Sequence, residues 1–234
     1  MIPSALAWGL ELSELLRRVN SGPWCVKTLS ATLKLKAVNK AALERVGEGL
    51  GRIFALRVVR FYFKQPDRIR VESLGPLRLA LIVNDGRRAL IGPGIYKVWD
   101  LRKDPGKKQY SFEFGFLSRG VWEGFKPVIL GWAKVRGRRA LVLKLVGKTI
   151  SGYKLKDRKV YIDERTGAIL RLVRLDRSGR PEAVRIFSCL KKVAPTLYIP
   201  TKATLYAGTR TPAGYILMSE VKANLRLPSS LFAI

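Results

Sequence analysis

The chain has 234 residues, enough to bury one sizeable core without disulfides or metals, and its content of apolar residues is that of an ordinary globular protein. Its charge is unusual, because 45 Lys and Arg stand against 17 Asp and Glu and leave a net charge of +28. Such a charge attracts anions: nucleic acid, anionic lipid headgroups or acidic proteins. A heat-adapted surface is the alternative explanation for much of the excess.

The absence of histidine excludes several kinds of active site. A Ser-His-Asp triad, a Cys-His dyad and a His-ligated zinc cannot form within this chain. The two cysteines, Cys25 and Cys189, are too few for a four-cysteine zinc site. We expect them either to form one disulfide or to lie buried as small side chains. We expect no metal and no cofactor.

The first residues, "MIPSALAWGLELSELL", suggest export. Ala5-Leu6-Ala7 has the small-x-small form of a signal-peptidase site, so the chain is predicted to begin within a removed export signal; a plain cytoplasmic N-terminus is the alternative. No apolar stretch approaches membrane-spanning length. Leucines at helical spacing predict a helix over about residues 4–20, which Gly22-Pro23 ends.

From about residue 28 onward, apolar residues alternate with polar or basic ones, which is typical of half-buried strands. Val59, Phe61 and Phe63, for example, alternate with Arg60, Tyr62 and Lys64. Short turn signals follow at regular spacing, among them Asp85-Gly86, Arg165-Thr166-Gly167 and Arg177-Ser178-Gly179. The pattern predicts about ten antiparallel strands.

Two stretches interrupt the alternation. Residues 39–52 are either a short helix or a Gly-rich loop. Residues 116–130 predict a short lid-like helix, which Pro127 interrupts or bends. Glycines near its ends, Gly115, Gly120, Gly124 and Gly131, would leave it free to move.

These elements predict an α+β fold in a single domain over residues 1–234. A long antiparallel meander tends to curl. We therefore expect an open, unclosed antiparallel β-barrel whose concave face is covered by the helices. Incomplete cover would leave an apolar cavity for a ligand.

Four stretches resemble one known superfamily, the periplasmic outer-membrane lipoprotein carriers and their relatives (LolA/LolB/RseB-like). "KQPDRIRVES" with "LALIVNDGRR" is similar to their strand-turn-strand signature, and "VYIDERTGAILRLVRLDRSGR" to their hairpin. "YIPTKATLY" and "EVKANLRLPSSLF" resemble their last strands. The resemblance spans about residues 10–232 in order. The stretch at 39–52 and the basic surface depart from the carriers and leave the cargo open.

The resemblance implies an unclosed barrel plugged by helices and an extracytoplasmic, periplasmic location. It implies a non-catalytic protein that shelters the acyl chains of lipids or lipoproteins, or an envelope-stress sensor of the same fold. A membrane-bound donor or acceptor protein and an anionic membrane surface are the further partners expected. In the carriers an Arg after the Pro turn holds the lid shut; Arg70 matches it, with Arg68 as the two-residue alternative and a solvated surface Arg as the other interpretation.

Candidate cavity residues are the apolar side chains of the strand faces and of the predicted lid, although each could be ordinary core. They are Phe61, Phe63, Leu79, Leu81, Trp99, Trp122, Phe125 and Ile129.

Two other functions have less support. A nucleic-acid-binding protein would use the charge, with Tyr62, Tyr96 and Tyr110 as stacking partners. However, the basic residues are spread along nearly every strand, and no nucleic-acid-binding signature is present. For an enzyme, the acidic candidates Asp85, Asp163 and Glu164 lie at turns, where Asp commonly bonds its own backbone.

Overall fold

The structure is a computed structural model that describes residues 11–47, 49–76 and 78–234. The predicted export site and the first half of the helix predicted over 4–20 lie outside these residues. Of the described helices, none combines the length and the apolar character needed to cross a bilayer.

The described elements are short helices and many strands. The helices are α1 (Leu12–Asn20), α2 (Lys40–Val46), α3 (Leu50–Ala55) and α4 (Val121–Gly124). The first eight strands are β1 (Thr28–Ala37), β2 (Val58–Lys64), β3 (Arg68–Ser73), β4 (Ala80–Asn84), β5 (Arg87–Gly92), β6 (Ile95–Asp100), β7 (Phe125–Val135) and β8 (Arg138–Gly147). The rest are β9 (Thr149–Ile150), β10 (Tyr153–Lys154), β11 (Arg158–Asp163), β12 (Ile169–Leu175), β13 (Pro181–Ala194), β14 (Leu197–Ala207) and β15 (Thr211–Ala223).

Thirteen of the strands form one antiparallel sheet, in the order β6-β5-β4-β3-β2-β1-β15-β14-β13-β12-β11-β8-β7. β9 and β10 pair separately. The sheet has β6 and β7 as its two edges and is not closed, so the open antiparallel barrel predicted from the sequence is confirmed, with more strands than the ten expected.

One face of the sheet, here called the inner face, carries the main core. Leu29 and Ala31 of β1 lie opposite Phe63 and Phe61 of β2, and all four side chains are fully buried. The alternation predicted for β2 is confirmed, because Val59, Phe61 and Phe63 are its buried positions. A single core cluster includes buried residues of β1–β4, β7, β8 and β11–β15, which requires the sheet to curl around it.

The first three helices contribute to this inner core. Leu15 and Val19 of α1 are buried in it, as are Leu43 and Val46 of α2. The stretch at 39–52, for which a helix and a loop were both open, forms α2 and the first half of α3. The Asn39 side chain caps α2, because its carbonyl oxygen accepts a hydrogen bond from the Ala42 amide at 2.9 Å.

The helix predicted over 116–130 is wrong in most of its length. Only Val121–Gly124 is helical, and an eleven-residue edge strand, β7, begins at Phe125. Burial alternates from residue to residue at the start of β7, as expected for a strand and not for a helix. The exposed positions are Lys126, Val128 and Leu130; Phe125 is buried, and Pro127 and Ile129 are partly buried. Pro127 fits because an edge strand has unpaired backbone groups on one side.

The cysteine prediction holds only for Cys25. Both thiols are free; Cys25 is buried and Cys189 is exposed. Cys189 has φ of 57° within β13, and the pairing with β14 passes from Ser188 to Leu190 without it. The register with β14 is the same on both sides of Cys189, so the distortion is confined to its own backbone, and its side chain is exposed to solvent.

Candidate ligand-binding site

The two edge strands are joined by residues 101–124, here called the cover segment. It contains two turns of 3-10 helix, Pro105–Lys107 and Ser111–Phe114, followed by α4. Because β6 and β7 lie at opposite edges of the sheet, the chain between them must cross from one edge to the other. Its apolar side chains belong to the inner core, so it crosses on the inner face.

The cover segment places aromatic rings on those of the sheet. Phe114 stacks on Phe61 with ring centroids 4.2 Å apart, and Phe116 meets Phe63 edge to face at 5.0 Å. Tyr110 contacts Phe125 at 5.1 Å. Pairs of this kind contribute about 0.5–1.5 kcal/mol each beyond the area that they bury. The inner face is therefore closed by side chains of the cover segment.

Polar contacts anchor the cover segment to the β2–β3 turn. The Gly120 amide donates to the Pro66 carbonyl at 3.1 Å, and a Cβ at Gly120 would overlap that carbonyl. The Lys108 ammonium lies 2.6 Å from a carboxylate oxygen of Asp67 and 2.9 Å from one of Glu123. Glycine at position 120 therefore allows the cover segment to approach the β2–β3 turn closely. The sequence had instead suggested that it makes the segment mobile.

Burial changes the titration of two groups in the cover segment. It raises the pKa of the Tyr110 hydroxyl to about 12, because the phenolate would lose its solvent. Burial alone would lower the pKa of Lys108, but Asp67 and Glu123 outweigh it and the pKa is raised. Lys108 thus keeps its charge where the segment docks. Buried Tyr110 is not available for the base stacking considered from the sequence.

The structure places the predicted cavity residues in three settings. Phe61, Phe63 and Phe125 are fully buried core; Leu81, Trp122 and Ile129 are partly buried against it. Leu79 and Trp99 are outside this cluster, and Trp99 is surrounded by the cations of Arg88, Lys97 and Lys107. The Trp122 indole N–H donates to the Asn20 side chain at 2.9 Å, which ties the cover segment to α1.

Arg70 lies on the outer face, next to buried Ile69 in β3 and opposite Tyr62 and Ile82. Its guanidinium is 2.7 Å from Glu72 and donates to the Leu231 carbonyl at 3.1 Å. The Asn84 amide donates to the Phe232 carbonyl at 3.0 Å. Arg70 therefore holds the C-terminal segment against the outside of β3 and β4, and a latch role for it concerns that segment.

A second group of residues was not singled out from the sequence. Arg158, Arg174 and Arg185 line a small pocket on the inner face, together with Glu113 of the cover segment. The remaining lining residues are Val46, Phe112, Leu172 and Ala183. The sequence did contain a signal for them. Arg158 and Arg174 each lie two residues from a buried apolar residue, Val160 and Leu172, and therefore on the same, inward side of their strands.

Solved structures of very different sequence have the same fold. A LolA superfamily protein from Nitrosomonas europaea matches with a TM-score of 0.61 at 12% identity, over 94% of this chain and 95% of its own. A domain assigned to outer-membrane lipoprotein sorting from Vibrio parahaemolyticus matches with a TM-score of 0.63 at 13% identity, over 94% and 93%. A DUF1329 family protein from Desulfovibrio piger matches with a TM-score of 0.53 at 13% identity, over 90% and 91%.

No protein-family model matches this sequence, and no curated protein matches it. The fold that the four stretches predicted is thus the fold of these LolA superfamily structures. Because the sequence identity is only 12–13%, the similarity shows a shared fold and nothing about function.

Proposed function

We propose that this protein is a non-catalytic, extracytoplasmic carrier that shelters the acyl chains of a lipid or lipoprotein between the inner face of its sheet and the cover segment. The proposal rests on one observation. The inner face of the open barrel is covered by the cover segment, which is also the connection between the two edge strands, β6 and β7. Such a segment can move away while both edge strands stay in the sheet.

The free-energy balance supports exchange of the cover for a lipid. An acyl chain gains about 0.8 kcal/mol per methylene transferred from water to an apolar site. Opening exposes the apolar side chains of the cover segment and loses the aromatic contacts of Phe114 and Phe116 with the sheet. An acyl chain long enough to occupy the vacated inner face offsets this cost. The covered inner face is the closed form of this cycle.

The first test is the composition of the purified protein. Native mass spectrometry and lipid extraction are expected to find phospholipid or acylated peptide bound to the chain. The second test is titration with a fluorescent acyl probe, which is expected to bind the wild type saturably. Trp122→Ala removes an indole that the cover segment would lay against the bound chain and is expected to weaken probe binding several-fold.

Trp132→Ala is the matched control, because Trp132 is also a partly buried tryptophan packed against the core but lies in β7, outside the cover segment. Equal effects of the two substitutions would contradict a special role for the cover segment. No saturable probe binding to the folded wild type would reject the carrier function, and nucleic acid in the purified protein would favour the nucleic-acid alternative.

A further inference from the structure

The pocket beside the cover segment brings three arginines from three adjacent strands together. Arg158 of β11 lies directly opposite Arg174 of β12, and Arg185 of β13 lies opposite Leu172, one step along the same face. Like charges at opposed positions destabilise a sheet. An arrangement of this kind on an otherwise apolar face is expected only where something compensates for it.

The carboxylates in the pocket compensate for only part of this charge. Glu182 is shared, at 2.9 Å from Arg174 and 2.7 Å from Lys156. Glu113 is 3.4 Å from Arg185. Within the described part of the chain, Arg158 forms no ion pair and donates to the main-chain carbonyls of Lys156 and Asp157. Positive charge therefore remains in excess beside Arg158.

Burial and the two neighbouring arginines both disfavour the charged form of Arg158. Its pKa is lowered to about 10, first by burial and then by the repulsion of Arg174 and Arg185, against the attraction of Glu113 and Glu182. The group remains charged at neutral pH, but at a cost in free energy. An anion between these guanidinium groups would remove that cost.

Arg174 is already engaged by the main chain of α2. Its guanidinium donates to the Val46 and Arg45 carbonyls at 2.6 and 2.9 Å, so it holds the end of α2 over the pocket. These carbonyls lie at the helix C-terminus, where a cation is favoured. Arg185 donates to the Glu113 carbonyl at 2.8 Å besides its ion pair with that residue, and the remaining N–H groups of Arg158 and Arg185 face the pocket.

The pocket is too small for an acyl chain. It has room for a few water molecules or one small oxyanion. Planar guanidinium groups match the oxygen spacing of phosphate and bind it through two hydrogen bonds each.

We propose that Arg158 and Arg185 bind a phosphate group, with Arg174 positioning the rim. The Arg158 guanidinium lies 6.0 Å from the Phe125 ring centroid, and Phe112 lines the same pocket. The bound phosphate is therefore next to the aromatic residues that contact the cover segment. If the phosphate belongs to a lipid headgroup, the inference rests on the proposed function. If it is free inorganic phosphate, the inference stands independently of that function.

Titration calorimetry at constant ionic strength tests the site with three probes: inorganic phosphate, a short-chain phosphatidic acid below its micellar concentration, and an uncharged short-chain diacylglycerol. Wild type is expected to bind phosphate saturably, and the phosphatidic acid more tightly than the diacylglycerol. Arg158→Gln is expected to weaken binding of inorganic phosphate roughly tenfold or more, and Arg158→Lys to weaken it less.

Arg171→Gln is the control, since Arg171 lies on the same strand as Arg174 but opposite Ile186, on the outer face. It is expected to leave phosphate binding unchanged. Absence of saturable phosphate binding to the wild type overturns the proposal, whether or not the variants fold. Equal losses in folded Arg158→Gln and Arg171→Gln would also overturn it.

The two proposals fail separately. Binding of inorganic phosphate without binding of any acyl probe supports the anion site and rejects the carrier function. Binding of the diacylglycerol as tightly as the phosphatidic acid supports an acyl-chain site and rejects a headgroup role for Arg158 and Arg185.

Discussion

At the residue scale, an acidic side chain at a turn can be explained by the hydrogen bonds that it makes locally. Asp163 is buried and accepts hydrogen bonds from Arg138 at 3.1 and 2.7 Å and from the Thr166 hydroxyl. The Gly167 amide donates to the Asp163 carbonyl at 2.9 Å, which closes the hairpin turn predicted from Arg165-Thr166-Gly167. The carboxylate is used structurally, to fix the turn between β11 and β12.

Gly167→Ala is expected to lower the free energy of unfolding by about 2–4 kcal/mol. Gly167 has φ of 69°, and an added Cβ would overlap the Trp24 indole ring, so strain and overpacking add. Gly179→Ala is the matched control, with φ of 80° and no heavy atom within 4 Å of the added Cβ. It is expected to cost only about 1 kcal/mol. Urea denaturation measures both, and equal losses would contradict the role of Trp24.

Arg70→Leu is expected to release the C-terminal segment, at a cost of about 1.5–3 kcal/mol, because the Leu231 carbonyl loses a charged donor. Hydrogen exchange at the Leu231 and Ala233 amides should accelerate. Arg68→Leu, two residues away on the same face, is the control and tests the alternative mapping of the latch. If both variants exchange like the wild type, Arg70 is a surface residue without a latch role.

At the scale of elements, the cover segment depends on its docking to the β2–β3 turn. The Lys108–Asp67 pair is largely buried, with 11% and 18% of the two side chains exposed. Removing one member of a buried pair leaves the other without compensation. The segment is therefore expected to open locally before the sheet unfolds.

Asp67→Asn is expected to lower the free energy of local opening by about 1.5–3 kcal/mol. Amides of residues 110–124 should then exchange roughly tenfold faster or more, while those of β1 and β15 should not change. Asp104→Asn is the control, because its pair with Lys107 is exposed and such pairs contribute little. Uniform acceleration across the whole chain would indicate global destabilisation and contradict local opening.

At the scale of the whole molecule, basic residues of several strands lie on the outer face, whereas Arg158, Arg174 and Arg185 lie on the inner one. Across β14, β15 and β1, Lys202 lies opposite Leu217, which lies opposite Lys34. Leu217 is 40% exposed. An exposed leucine between lysines suits contact with an anionic membrane surface, which we propose as a partner of this face.

The protein is expected to sediment with vesicles that contain anionic lipid, less so with neutral vesicles, and less at high salt. Each basic residue near the surface contributes roughly 1 kcal/mol, so Lys34→Glu with Lys202→Glu should weaken binding roughly tenfold or more. Arg177→Glu, at the turn after β12, is the single-substitution control and changes the net charge by half as much as the double variant. Binding that is the same for neutral and anionic vesicles, or insensitive to salt, would rule out the electrostatic contribution.

Much of the fold could be predicted because its signal is local. Alternation places Val59, Phe61 and Phe63 on one face of β2, since successive side chains of a strand point to opposite sides. Turns such as that at Gly167 follow from residues that tolerate a left-handed backbone. The exclusion of histidine-dependent active sites likewise follows from the composition alone. The open antiparallel sheet needed no knowledge of contacts between distant residues.

The rest depended on which distant segments meet. Residues 125–130 could be read with either period, and pairing with β8 decided in favour of a strand. Arg158, Arg174 and Arg185 are each unremarkable in sequence; the register of three strands brings them to one pocket, and α2 closes it through Arg174. Which side chains fill the inner face, and where positive charge collects, are consequences of curling and register that no local pattern contains.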